Sequence, residues 1–148
     1  MIYDIINSFL KKTDPEVAHN LAIRILKNNF LPINKFIKKP EKILSSANFG
    51  IKFTSPLGLA AGFDKNGEVY NSFFSLGFGS VEVGTITPKP QFGNSKPRVF
   101  RLSEDRAIIN RLGFPNDGVE IIKKRLINNK AEGILGINIG PNRENSEK

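Results

Sequence analysis

Apolar residues recur near the start of the chain with the spacing of two amphipathic helices. The first helix is predicted from a stripe at i, i+3, i+4, i+7 and i+8, formed by Ile2, Ile5, Ile6, Phe9 and Leu10. Residues 13–16 (TDPE) then offer a capping residue, an early proline and a glutamate three residues after Thr13, which together form a capping-box signature. A second helix is predicted from this point to Pro32, and its apolar side carries Val17, Ala18, Leu21, Ala22, Ile25 and Leu26.

Beyond Ala47 the period shortens to that of strands. Phe49, Ile51 and Phe53 alternate with small or polar residues, which predicts a half-buried edge strand. Residues 57–62 (LGLAAG) form a short apolar run that is typical of a strand buried on both faces. Further along, the pattern predicts a helix over 67–76 ended by Gly77, a strand over 79–84, a helix over 116–129 and a third buried strand over 133–140.

A long, basic and proline-rich segment, residues 85–111, interrupts this alternation. Within it we predict a hairpin with strands around 98–102 and 107–110. Connections of this length in a compact domain usually carry function. The order of strands and helices predicts a parallel sheet with helices outside, either doubly wound or part of a (β/α)8 barrel. Both architectures bind ligands at the carboxyl ends of their strands.

Composition narrows the possible functions. The chain has 148 residues and a net charge of +8, contains no cysteine, and its one histidine is His19. These counts predict about one domain, without a disulfide scaffold or a multi-histidine metal site; we expect no metal. No apolar run approaches the length of a spanning helix, and the order of charges around Asp4 is not that of a signal peptide. The basic charge fits a solvated lysine surface, a membrane surface or an anionic ligand, and no nucleic-acid-binding motif is present.

Polar side chains follow each predicted strand. Small residues before Lys65 let a flat ring approach the backbone, and the lysine offers it a cation, although an ordinary turn is the alternative. Thr85 could bond a ligand or cap a turn. Residues 110–114 (NRLGF) suit a planar ligand with amide and carboxylate groups, or form a turn with an exposed arginine. Asn138 lies inside an apolar run, so it needs a hydrogen-bonding partner in the protein or a cofactor.

Five segments in order give the chain a resemblance to the dihydroorotate dehydrogenases. They are LGLAAGFDKNG (57–67), GFGSVEVGTITPKP (77–90), KPRVFRL (96–102), INRLGF (109–114) and GINIG (136–140). The two N-terminal helices and residues 14–19 (DPEVAH) point to the membrane-associated, quinone-linked class. The resemblance runs from about Ile2 to Asn142.

This resemblance implies a (β/α)8 barrel with FMN over its strand ends. Dihydroorotate would give a hydride to the flavin and a proton to a serine base, and the reduced flavin would pass electrons to a membrane quinone. The quinone would arrive through a tunnel formed by the two N-terminal helices. The implied FMN contacts are Ala61, Gly62, Phe63, Asp64, Lys65, Thr85 and Asn138. The implied contacts of dihydroorotate and orotate are Lys65, Asn110, Arg111, Leu112, Gly113 and Phe114. The implied quinone site is His19 and Arg101.

The chain is short for such an enzyme. Residues 1–42 are predicted to form an amphipathic two-helix cap with a basic connector, and residues 43–148 the first part of the barrel, with three core strands. A full barrel needs about 250 residues, so we expect the serine base beyond Lys148. We also expect neither stable FMN binding nor turnover from this chain alone.

The N-terminal segment carries the features of a helix that lies in a membrane interface. Lysines near its apolar face would add attraction to anionic lipids, and they are Lys11, Lys12, Lys35, Lys38 and Lys39. We therefore expect a peripheral position on the cytoplasmic side of the inner membrane. Three other functions stay open: another FMN barrel oxidoreductase, a soluble dihydroorotate dehydrogenase with a cysteine base, and a non-catalytic membrane-surface or protein-interaction module.

Overall fold

The computed structural model describes residues 10, 12–28 and 40–143. Most of the predicted first helix and several of the basic residues named above lie outside this range, and they are Ile2, Ile5, Ile6, Phe9, Lys11, Lys35, Lys38 and Lys39. Their predicted helix and membrane contacts therefore stay predictions.

Three helices and seven strands make up the described part of the chain. The helices are α1 (Pro15–Lys27), α2 (Tyr70–Ser75) and α3 (Val119–Asn128). The strands are β1 (Ser46–Asn48), β2 (Ile51–Phe53), β3 (Gly58–Leu59), β4 (Ser80–Ile86), β5 (Val99–Leu102), β6 (Ala107–Asn110) and β7 (Ile134–Ile139). A 3-10 turn, Lys42–Leu44, precedes β1.

The described strands form one parallel sheet and two antiparallel hairpins. The parallel sheet has the order β3-β4-β7, with α2 before β4 and α3 before β7, and the hairpins are β1-β2 and β5-β6. The predictions of parallel β-α-β units and of a hairpin within the long basic segment are therefore confirmed. Because the three strands run parallel, the loops that follow β3, β4 and β7 lie at the same end of the sheet, beside the carboxyl ends of the strands.

The start and end of α1 differ from the prediction. Asp14, not Thr13, is the N-cap, and its carboxylate accepts hydrogen bonds from the backbone N–H groups of Glu16 and Val17 at 2.9 and 3.0 Å. The helix ends at Lys27 rather than at Pro32, because the Asn28 side chain donates to the backbone oxygen of Arg24 at 2.9 Å. A short polar side chain that bonds the backbone in this way competes with further helix formation.

The predicted strand over 49–53 is wrong in its first half. Phe49 and Gly50 have φ values of 54° and 75° and form the two-residue turn between β1 and β2. Positive φ at both central positions is what a hairpin turn matched to the twist of its strands requires. The alternation of Phe49 with Ile51 thus arises from a turn tip and a strand, and Phe49 is fully exposed.

The two flanking strands of the parallel sheet, β3 and β7, were predicted to be buried on both faces. This prediction is wrong for both strands. The strand β3 contains two residues, of which Gly58 is exposed and Leu59 half-buried. In β7, Ile137 and Ile139 are 51% and 80% exposed. The physical reason is that each strand pairs only with β4 among the described residues, so its other edge and part of its apolar surface stay uncovered.

The core lies between β4 and the two helices of the parallel units. It consists of Val69, Tyr70, Phe73, Val81, Val83, Ile86 and Ile122. The Tyr70 hydroxyl donates to the backbone oxygen of Asn129, which ties α2 to the end of α3. Gly77, with φ of 94°, follows α2, so the helix end predicted there is confirmed.

Candidate functional site

A cavity of about 1210 Å³ lies between α1, the loop after β3 and the β5-β6 hairpin with its flanking loops. Eight predicted site residues line it, namely His19, Gly62, Phe63, Asp64, Lys65, Arg101, Asn110 and Leu112. Six others do not line it, namely Ala61, Thr85, Arg111, Gly113, Phe114 and Asn138. The fold therefore brings residues predicted for three different ligands into one continuous space.

Asp64 organises the loop that carries Lys65. The residue is 1% exposed, and its carboxylate accepts hydrogen bonds from the backbone N–H groups of Glu68 and Val69 at 2.8 and 2.7 Å. Burial raises the pKa of this carboxyl above its ordinary value, although the two N–H groups act in the opposite direction. The Asp64 carboxylate thus holds the backbone just before α2. The resemblance had implied instead that Asp64 contacts FMN.

Lys65 is half-buried beside the cavity. Burial lowers the pKa of its ammonium group, while the carboxylate of Glu16 acts to raise that pKa. Within the described ranges this ammonium makes no hydrogen bond or ion pair. A cation that is partly desolvated and not directly paired is a binding group for an anionic or electron-rich ligand.

His19 and Arg101 meet the cavity from opposite elements. The His19 ring packs edge-on against Phe63 with 5.0 Å between ring centroids. Burial lowers the pKa of the imidazole, and the charge of Lys65 lowers it further, so the ring is neutral at pH 7 and offers one donor and one acceptor. Arg101 donates from Nη1 to the backbone oxygen of Thr13 at 2.6 Å, joining β5 to the segment before α1.

An ion pair that the sequence analysis missed holds α1 to the same hairpin. Arg98 donates to the Glu16 carboxylate from Nη2 at 2.6 Å and from Nε at 3.1 Å. The Lys96 ammonium lies 3.5 Å from the same carboxylate. The available signal was an acid in the first turn of a helix together with the basic segment 96–98, but 82 positions separate Glu16 from Arg98 and no local pattern joins them.

Acid is expected to release this pair. Hydrogen bonding to Arg98 lowers the pKa of Glu16 below its ordinary value of 4.5. The stabilisation is therefore fully present above the unfolded-state pKa, near 4.5, and is lost as the pH falls through the lower folded-state pKa. Thermal unfolding followed by circular dichroism from about pH 7 to about pH 3 should show a steeper loss of Tm for the wild type than for Glu16→Gln. Parallel losses in the two proteins would contradict this assignment.

Thr85 and Asn138 form a second polar cluster, at the carboxyl ends of β4 and β7. The Thr85 hydroxyl donates to Asn138 Oδ1 at 2.6 Å, and Asn138 Nδ2 donates to Glu82 Oε1 at 2.9 Å. The prediction that Asn138 has a hydrogen-bonding partner is confirmed, and Glu82 is a member of the cluster that the sequence analysis did not single out. Gly84 joins this cluster to the loop after β3, which lines the cavity. Its N–H donates to the backbone oxygen of Asp64, and its own backbone oxygen accepts from the Gly62 N–H.

Residues 110–114 comprise the last residue of β6 and the first part of the loop that follows it. Asn110 and Leu112 line the cavity, and Asn110 Oδ1 accepts from the Leu112 N–H at 3.4 Å. Arg111 donates instead to the backbone oxygen of Pro97 at 3.1 Å, and Phe114 is half-exposed. This segment thus presents the Asn110 amide to the cavity, while Arg111 holds the neighbouring loop through the backbone oxygen of Pro97.

None of the helices in the described ranges is long and apolar enough to cross a bilayer. Across the same residues, no three His, Asp or Glu side chains are grouped as metal ligands would be.

Comparisons with known proteins agree on one family. Residues 43–148 match the family model described as dihydroorotate dehydrogenase. A dihydroorotate dehydrogenase (quinone) from Rhodospirillum rubrum is 52% identical over 130 residues, which are 88% of this chain and 35% of that protein. The protein of the same name from Coxiella burnetii is 47% identical over 148 aligned positions, covering 96% of this chain and 41% of the relative. The chain thus spans about two-fifths of the length of these relatives.

Solved structures give the same result. The crystal structure of DHODH from Eimeria tenella in complex with ferulenol has a TM-score of 0.83 to this chain and is 42% identical to it. The match covers 95% of this chain and 40% of that one. The ligand-free form from the same organism has a TM-score of 0.78 and 45% identity, over 87% of this chain and 38% of its own.

Proposed function

Because the chain belongs to the dihydroorotate dehydrogenase family, we propose that it forms the N-terminal part of an enzyme that oxidises dihydroorotate to orotate and passes the electrons to a membrane quinone. Orotate formation belongs to pyrimidine biosynthesis. In this proposal β3, β4 and β7 are the first three core strands of a (β/α)8 barrel, and residues 1–42 form a helical cap beside residues 43–148. The cap lies against the inner membrane from its cytoplasmic side.

The continuity of the cavity carries the proposal. One part of its wall contains Lys65 and Asn110, which are suited to a small planar anion, and another part is the side of α1 that contains His19. A quinone ring and a flavin have to approach each other for electron transfer, and a continuous space bounded by both sets of residues permits this.

The residues present fit FMN as the proposed cofactor. Gly62 has a φ of 110° with open space around its missing side chain, so a flat ring can approach the backbone there. Beside it lies the ammonium of Lys65, which lacks a direct partner in the described structure. We propose that Ala61, Gly62, Phe63, Lys65, Thr85 and Asn138 contact the cofactor, and Asp64 through its backbone only. When bound, FMN would supply the two-electron acceptor.

The chain's own residues would then bind and orient dihydroorotate and the quinone. Lys65 would place a positive charge beside the substrate and the electron-rich edge of the flavin. Asn110 would donate to and accept from the amide groups of dihydroorotate, with residues 111–114 shaping the turn. His19, which is neutral, would offer a hydrogen bond to a quinone oxygen, and Arg101 would offer a second one. No residue of this chain is assigned as the catalytic base, which the resemblance expects to be a serine beyond Lys148.

The test is a fusion in which this chain is followed by the part of the Rhodospirillum rubrum relative that it does not span. We expect the purified fusion to retain FMN and to reduce decylubiquinone in a manner that depends on dihydroorotate. The 148-residue chain alone is expected to do neither. A flavin-loaded fusion that forms no orotate, under conditions in which the intact relative does, would contradict the proposed function.

A further inference from the structure

The ion pair between Glu16 and Arg98 joins the first turn of α1 to the segment that leads into β5. Both residues line the cavity. We propose that this pair is a positioning latch, which holds α1 against the β5-β6 hairpin and so sets the distance across the quinone-binding end of the cavity. The inference rests on the proposed function for the identity of the quinone, and on the geometry alone for the latch.

Arg98 is built as a fixed anchor. Its residue is 9% exposed, and its Nη1 donates to the backbone oxygens of Phe92 and Asn94 at 2.6 and 2.9 Å. The other side of the guanidinium group, Nε and Nη2, faces the Glu16 carboxylate. Because the loop 92–94 fixes the plane of the guanidinium group, the carboxylate has one favourable position, and a bidentate pair of this kind specifies direction as well as distance.

The latch acts on the part of α1 that faces the cavity. His19 follows Glu16 by three positions, so the two side chains lie on the same side of the helix, one turn apart. Arg101, in β5, bonds the backbone oxygen of Thr13 just before the helix. The start of α1 is therefore held at two points, by Arg98 and by Arg101. His19 lies one turn beyond the first contact, and Arg101 itself forms the second.

The other end of α1 is held in a different way. Lys27 pairs with Glu68 at 2.7 Å, with the lysine side chain 55% exposed, and the Ser72 hydroxyl donates to the Leu26 oxygen at 3.2 Å. Exposed pairs of this kind contribute little. The Lys27–Glu68 pair thus offers a matched control, because it anchors the same helix but Lys27 does not line the cavity.

The variants Glu16→Gln and Arg98→Lys are to be made in the flavin-loaded fusion, with Lys27→Met as the control. Glu16→Gln keeps the shape of the side chain without its charge. Arg98→Lys keeps the charge and loses the two-pronged contact. Two rates separate the roles: steady-state turnover with decylubiquinone, and flavin reduction by dihydroorotate measured without quinone.

We expect both latch variants to raise the KM for decylubiquinone about tenfold. This is the loss of affinity that corresponds to about one hydrogen bond of a charged pair. Flavin reduction by dihydroorotate should stay within about twofold of the parent, as should every parameter of Lys27→Met. Glu16→Asp, which keeps the charge, should recover part of the quinone KM. An unchanged KM in Glu16→Gln would overturn the latch, and so would equal losses in KM and in flavin reduction, because these indicate general damage to the fold.

Hydrogen exchange tests the latch independently of any activity. In the 148-residue chain, Glu16→Gln should accelerate exchange of the α1 amides from Ala18 to Ala22, while β4 amides keep their protection. Unchanged exchange in α1 would overturn the latch even if the enzyme is active. A parent fusion that fails to reduce its flavin with dihydroorotate would count against the proposed function, and the exchange result would still decide on the latch.

Discussion

Replacing Lys65 with Met is expected to lower dihydroorotate-dependent turnover of the flavin-loaded fusion by about 100-fold. The ammonium is half-buried and has no direct ionic partner among the described residues, so a bound anion would become its principal partner. Hydrogen bonds to charged groups contribute about 1.5–3 kcal/mol, and each 1.4 kcal/mol corresponds to about tenfold in affinity or rate. Steady-state kinetics on the purified variant measures this loss.

The same substitution should not weaken the fold, which separates its effect from unfolding. Burial already disfavours the charged form of Lys65, so methionine removes a desolvation cost and the urea midpoint should stay the same or rise. Lys124→Met is the control, since it removes an equal charge from the exposed face of α3 and should leave turnover unchanged. Turnover of Lys65→Met within about threefold of the parent would rule out the assigned role.

Gly84→Ala is expected to destabilise the chain by about 2–5 kcal/mol, from the strain of a positive φ and from overpacking. Gly84 has a φ of 111°, and a side chain there would meet the Asn138 oxygen at 2.4 Å and the Ile86 nitrogen at 2.9 Å. Both contacts involve backbone, which cannot move without shifting β4 or β7. A loss of this size is a large share of the usual stability of a domain, about 5–15 kcal/mol. Urea unfolding followed by circular dichroism measures it.

Gly50→Ala supplies the matched comparison. Gly50 also has a positive φ, of 75°, but nothing lies within 4 Å of the position of an added Cβ. Its cost should therefore be limited to the conformational part, about 1–2 kcal/mol. Equal destabilisation by the two alanines would show that the close contact of Gly84 with Asn138 does not contribute.

Gly84→Ala should also disturb the site. The backbone N–H and oxygen of Gly84 form hydrogen bonds with the backbones of Asp64 and Gly62, which belong to the loop that contains Lys65. A displaced β4 end would therefore move both the Thr85–Asn138 cluster and the cavity loop. In the fusion, we expect the variant to retain less FMN than the parent, as measured by flavin absorbance per protein.

Local patterns predicted the regular elements well where one physical preference dominates. The hairpin within residues 98–110 and the helix end at Gly77 were found because turn chemistry and glycine conformation are local properties. The misplaced strand over 49–53 shows the limit, because alternating apolar residues can also arise from a turn tip followed by a strand. In the same way, the burial of β3 and β7 depends on which strands pair with them, and their own residues do not encode that.

By itself, the sequence determined the parallel β-α-β arrangement, the family, and the positions of the polar residues after each strand. It did so because hydrophobic periodicity, helix caps and sequence motifs each depend on residues that are close together in the chain. Only the tertiary structure decided that Asp64 turns inward to hold the backbone, that Asn138 joins Thr85 and Glu82, and that Arg98 receives Glu16. Each of these outcomes depends on groups brought together from distant parts of the chain, where burial and hydrogen-bond geometry select the partner.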